Sequence, residues 1–197
     1  MRRAPSRRSL SDRWGTHYRR RAGWRGRIYR LLLPGTVGRN VRLGRMLTLD
    51  NPAQITLEDG VIIADCVLLV ARNRTADRRP TVRIGAKTFI NNGCSVVAGT
   101  VVDIGRDVLL GPHVTVVDED HAFDQPGVAV ARSGMTDGGS VIIGDGAWLA
   151  ANCVILGGTT IPAGSVVAAN SVVRGRFEGR VLLAGAPARV IRQLADA

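Results

Sequence analysis

Histidine is scarce in this chain of 197 residues: three occur, His17, His113 and His121. His121 has the surroundings that proton transfer needs. It opens a stretch rich in loop formers, His121-Ala-Phe-Asp-Gln-Pro-Gly and then Ser133-Gly-Met-Thr-Asp-Gly-Gly, with Asp118, Glu119, Asp120 and Asp124 close by. Imidazole titrates near neutrality, so a histidine held there suits general-base removal of a hydroxyl proton. Any of the four carboxylates, or a backbone carbonyl, could hold its second ring nitrogen, and the sequence does not choose among them. A loop of this length leaving ordered structure is a common place for binding and catalytic groups. His113, in Gly111-Pro112-His113-Val114, reads as an exposed corner residue. With His17 in the N-terminal segment, only two histidines remain, too few for a three-histidine zinc site, and no metal is expected. Cys66, Cys94 and Cys153 lack metal-type spacing and read as thiols of a reducing compartment with no disulfide frame.

The elements that position these residues are written in a six-residue period. Ile143, Leu149, Ile155, Ile161, Val167 and Val173 recur at that interval. Upstream, Ile84, Ile90 and Val96 keep the same step, and Ile104, Leu110 and Val116 resume it two residues out of phase. Weaker teeth stand at Val37, Leu43 and Leu49 and at Leu57, Ile63 and Leu69. This period fits neither a helix nor a simple strand pair; it predicts a coiled solenoid with three hexapeptides per triangular turn. The aliphatics then stack inside the prism. Small or β-branched residues four positions later, Cys94 and Cys153 among them, fill the rest. Gly, Asn and Asp supply the left-handed backbone of the corners. Coils stacked about 4.8 Å apart give one quasi-linear core of roughly seven turns from residue 37 to 175. The comb breaks between Val116 and Ile143, so the excursion that begins near His121 leaves an otherwise rigid prism.

These residues resemble the hexapeptide-repeat acyltransferases. The match runs through residues 84–192, extends weakly to residue 37, and is most similar to the galactoside, maltose, nodulation-factor and exopolysaccharide O-acetyltransferase group. It rests on the comb, on Ile143-Gly144-Asp145-Gly146-Ala147-Trp148 after the excursion, and on the closing Ala184-Gly185-Ala186-Pro187-Ala188-Arg189-Val190-Ile191-Arg192. The resemblance implies an all-β, left-handed parallel β-helix with a basic N-terminal helix and a short C-terminal helix. It also implies His121 as general base, Asn91 and Trp148 at the acceptor, and Ala151, Ala169, Arg174, Arg189 and Arg192 at coenzyme A. Acetyl-CoA is the implied co-substrate, transfer is direct rather than through an acyl-enzyme, and a homotrimer sets the base of one subunit against the cofactor channel of its neighbour. In two places the chain departs from the group. It reads Arg174-Gly-Arg-Phe-Glu-Gly-Arg where the group has an acid and prolines, and an arginine-rich arm replaces the small helical domain of the maltose and galactoside enzymes.

Charge is concentrated in that arm. Residues 1–45 hold fourteen arginines against one acid, Asp12, a balance of +13, whereas the rest of the chain carries −2. Arginines at 19, 20, 21, 25, 27 and 30 interleave with Trp14, Tyr18, Trp24, Ile28, Leu31 and Leu32, mostly three or four apart. This predicts a basic amphipathic helix ending at Pro34-Gly35. Its apolar face could cap the first coil, or the helix could meet an anionic membrane surface through residues 1–33. Nucleic acid is disfavoured because no recognised binding module accompanies the basic run. Ser6-Arg7-Arg8 is not followed by an apolar signal region, and Leu31-Leu32-Leu33 is too short to span a bilayer. The expected location is cytoplasmic, peripheral on the inner membrane surface.

The expected organisation is a basic arm over 1–35 and a β-helix domain over 36–197 with a loop at 118–140. The expected function is acetyl-CoA-dependent O-acetylation of a sugar hydroxyl in polysaccharide or glycolipid assembly. The alternative is a non-catalytic scaffold displaying a membrane- or nucleic-acid-binding arm. The sequence names neither the acceptor nor the acyl group.

Overall fold

The computed structural model describes residues 16–33, 36–45, 47–72 and 81–195, with side chains from residue 21 onward. Trp14, the arginines before Thr16 and the Pro34-Gly35 helix stop lie outside the described residues. Over the rest, the hexapeptide comb is realised as a left-handed parallel β-helix with three faces. The first face stacks strands Ile55–Leu57, Thr81–Ile84, Val101–Ile104, Val141–Ile143 and Thr160–Ile161. The second stacks Arg42–Leu43, Ile62–Ile63, Phe89–Ile90, Leu109–Leu110, Trp148–Leu149, Val166–Val167 and Val181–Gly185. The third stacks Thr48–Asp50, Leu68–Ala71, Ser95–Ala98, Thr115–Val117, Val154–Leu156 and Val172–Val173.

Register follows the comb. Ile63, Ile90, Leu110, Leu149, Val167 and Leu183 align on the second face, and Val96, Val116, Ile155 and Val173 on the third. All of them are buried, as are Cys94, Cys153, Thr159, Ser165 and Ser171 in the small-residue slot. A prism this narrow excludes aromatic rings from its axis, which is why Val, Ile and Leu fill it.

Two devices shape the corners. The third turn residue adopts a left-handed backbone, as at Asn40, Lys87, His113, Asn152 and Asn170; His113 is therefore the exposed corner residue expected of it. Corner carboxylates and amides accept N–H groups of the adjacent coil that strand pairing leaves over. Asp59 takes the Arg39 N–H at 2.7 Å, Asp145 takes that of Arg106 at 2.8 Å, and Asn92 takes that of Asp65 at 2.9 Å. The Arg39 N–H, with its guanidinium, holds the Asp59 carboxyl below the usual carboxylate range.

The ends differ from expectation. Helix α1, Thr16–Leu32, does cap the first coil, packing on strand Arg42–Leu43. However, it does so through buried Ala22 and Gly26 with Tyr29 and Leu33, and it leaves the Trp24, Leu31 and Leu32 stripe exposed. A side chain at Gly26 would overlap the Val41 carbonyl, so only small residues allow so close an approach. The short C-terminal helix is absent: Ala188–Gln193 is a strand, antiparallel to Val181–Gly185. Gly185-Ala186-Pro187 forms a turn, and Val190 and Ile191 favour extended backbone, so the segment extends the second face instead of coiling.

Candidate active site

The excursion leaves the prism at the corner between the third and first faces, and its root is bolted down. Asp118 is fully buried, and its carboxylate accepts the Gly99 N–H at 2.5 Å, the Thr100 N–H at 2.9 Å and the Thr100 hydroxyl at 2.7 Å. The Asp118 carbonyl also accepts the Gly138 N–H at 3.0 Å, so exit and return are fixed at one residue. Strand Glu119–His121 then pairs antiparallel with Met135–Asp137, opposing His121 to Met135. His121 itself is exposed at the end of this two-stranded arm. Beyond it the tip presents Phe123, 76% exposed, with Val128 and Val130, and Ser133 Oγ closes the tip on the carbonyls of Ala122 and Val130.

Three of the four carboxylates near His121 have other partners. Asp118 is spent on Gly99 and Thr100. Glu119 is buried and lies 3.4 Å from Arg72, and Asp120 meets Arg174 at 3.1 Å. These contacts anchor the arm to the coils on either side of its root. Arg72 and Gly99-Thr100 belong to the site's support and were not singled out in the sequence. The two-residue slip between Val96 and Ile104 is their trace, because it falls at this same corner.

The other predicted residues occupy a different edge. Asn91, Ala151 and Ala169 sit at the corner between the second and third faces, each following a second-face strand. Ala151 and Ala169 occupy the same turn position on successive coils, as the aligned Leu149 and Val167 require. Asn91 accepts the N–H of Asn92 at 2.8 Å through its side-chain oxygen, which makes it a corner former as well. Trp148, 48% exposed, stands just before this edge in an outward row of the second face: Ile62, Phe89, Leu109, Trp148, Val166, Leu182 and Arg192 in register. Arg189 opposes Ala184 on the outer strand, and Arg189 and Arg192 are both exposed. Arg174 follows third-face strand Val172–Val173 and stands with the His121 arm, apart from Ala151 and Ala169.

The predicted constellation is thus divided between two edges of one chain. His121 and Arg174 share the first edge. Asn91, Ala151 and Ala169 share the second, with Trp148 beside it and Arg189 and Arg192 on the last strand. The second edge fits a long thin ligand: it offers small side chains on successive coils, an aromatic wall and two exposed guanidinium groups able to take phosphates. Neither inward cysteine faces it. Cys94 Sγ contacts the Gly111 carbonyl at 3.1 Å, and burial pushes its thiol up to about 11; burial raises the Cys153 thiol as well.

Known proteins share the repeat and the fold. The family model described as bacterial transferase hexapeptide (six repeats) matches residues 140–175. The galactoside O-acetyltransferase of Escherichia coli K12 is 31% identical over 115 residues, covering 58% of this chain and 55% of that protein. The chain spans about half the length of the curated relatives it matches, 53–56% for three of them. Among solved structures, a hexapeptide-repeat acetyltransferase of Vibrio cholerae complexed with acetyl coenzyme A superposes with a TM-score of 0.61 at 25% identity, covering 91% of this chain and 89% of that one. The N-acyltransferase AntD of Bacillus cereus, in complex with dTDP and 3-hydroxybutyryl-CoA, shares the fold at a TM-score of 0.71 and 19% identity, covering 86% and 87%. Repeat, fold and relatives together make the chain similar to the hexapeptide-repeat acyltransferases and show that it shares their β-helix fold.

Proposed function

We propose that the chain is an acetyl-CoA-dependent O-acetyltransferase that acts on a sugar hydroxyl in polysaccharide or glycolipid assembly. The observation that carries this reading is the braced arm, which presents His121 to solvent while Asp118, Glu119 and Asp120 fix its root. Such bracing suits a base that must hold its position while a hydroxyl loses its proton. His121 takes the acceptor hydroxyl proton as that oxygen attacks, and the imidazolium then returns a proton to the departing thiolate. Acetyl-CoA supplies the activated acyl thioester. Ala151 and Ala169 leave room along their edge, Trp148 walls it, and Arg189 and Arg192 take the nucleotide phosphates. Asn91 would contact the acceptor.

The division of these residues between two edges supports a homotrimer in which His121 of one copy faces the Ala151 and Ala169 edge of the next. The apolar outward row that runs from Ile62 to Leu182 offers such a neighbour a surface to cover. The test is thiol release from acetyl-CoA in the presence of a panel of sugar acceptors. Acceptor-dependent release should fall by about 10²–10⁴ in His121→Ala, with acetyl-CoA affinity unchanged by calorimetry. Retained turnover in that variant removes His121 as base, and absence of coenzyme A binding by the native chain favours the scaffold reading.

A further inference from the structure

Helix α1 is apolar on two sides, and the prism uses only one. Ala22, Gly26, Tyr29 and Leu33 face the first coil, where Arg25 Nε donates to the Leu43 carbonyl at 2.8 Å. At 100° per residue, Leu31 and Trp24 fall on the opposite side of the helix and Leu32 further round from them. They are 82%, 66% and 70% exposed. Exposed Arg27 borders Trp24 and Leu31 on one flank, and exposed Arg21, nearer the start of the helix, falls between Trp24 and Leu32 around it. Between helix and coil runs a groove of about 610 Å³ whose lining includes Trp24, Arg27, Arg30, Arg39 and Arg42. Asp59 holds Arg39 at 2.8 Å and also feels the charge of Arg30.

A cap requires neither an outward Trp and two Leu nor a frame of arginines. An anionic bilayer surface complements both parts at once, its headgroup boundary receiving the apolar strip and its phosphates the guanidinium groups. In the sequence, residues 1–45 carry a balance of +13 while the remainder carries −2. No helix among the described residues is long and apolar enough to cross a membrane, which fits a helix lying in the interface plane. We propose that this face of α1 docks on an anionic lipid bilayer, with Trp24, Leu31 and Leu32 entering the headgroup boundary and Arg21, Arg27 and Arg30 meeting lipid phosphates. The surface is distinct from the residues assigned to acetyl transfer.

The full chain should co-sediment with phosphatidylcholine vesicles containing phosphatidylglycerol and not with phosphatidylcholine alone, and salt should weaken the binding as the screening length shrinks below about 10 Å. Trp24→Ser/Leu31→Ser/Leu32→Ser and, separately, Arg27→Gln/Arg30→Gln should each lower partition about tenfold or more, with unfolding temperature and acetyl transfer unchanged. Equal binding to neutral vesicles, no binding, or full binding by both variants would overturn the proposal. So would a fall in oligomeric mass of the apolar variant in sedimentation equilibrium, because a second copy would then cover the strip.

Discussion

The charged residues at the root of the His121 arm and those on the last strand have separable jobs, and substitutions should separate them. Asp118 satisfies three donors while fully buried. Asp118→Ala leaves the Gly99 and Thr100 N–H groups without their acceptor, a loss of about 2–4 kcal/mol that thermal unfolding should register. Arg189 and Arg192 act differently, because they would hold the nucleotide equally in ground and transition states. Arg189→Ala/Arg192→Ala should raise the acetyl-CoA KM roughly tenfold while kcat changes little; an unchanged KM would make them surface residues only. The thiols offer a check on the core. Cys66 is exposed, Cys94 is buried with its thiol pushed up to about 11, and Cys153 is buried and raised. At pH 8 a thiol reagent should therefore label one site per native chain quickly and the other two only on unfolding.

At the scale of elements, the prism was legible because every coil repeats the same physical demand. An aliphatic must point to the axis, a small residue must follow where the next coil's backbone passes, and a left-handed residue must turn the corner. Ile84-Gly85, Ile104-Gly105 and Ile143-Gly144 show the rule, since a side chain on any of these glycines would collide with the adjacent coil. The ends carry no such repetition, and there local sequence does not decide the structure. Ala188–Gln193 has arginines at a spacing that suits a helix, yet an open sheet edge beside Val181–Gly185 decided its conformation. In α1 the strong apolar residues drew attention to the wrong face; the capping face is made of Ala22 and Gly26, whose value lies in what they lack. Gly26→Leu should push the helix off Val41, lower the unfolding temperature by several degrees and increase proteolysis near residue 33. An unchanged protection pattern would show that the cap does not depend on close approach.

For the whole molecule, distance along the prism and distribution around it have different consequences. Along the axis, His121 leaves three coils above the first, about 14 Å at the spacing of stacked strands. With α1 adding about 10 Å, a lipid-docked α1 would hold the root of the His121 arm roughly 25 Å from the bilayer surface. Around the axis, the third face separates His121 from Ala151 and Ala169; the hexapeptide register fixes each residue's place on a coil but says nothing of a neighbouring copy, which only the resemblance implies. The proposed acetyl-transfer site is assembled between copies. The direct measurement is activity of co-expressed, equimolar His121→Ala and Ala169→Trp chains, each inactive alone, the second because the indole fills the cofactor edge. In a three-fold ring each mixed trimer regains one intact site, so random assembly should recover about a quarter of wild-type activity. No recovery, despite mixed trimers detected by native mass spectrometry, would place both groups in one chain's site and contradict the account.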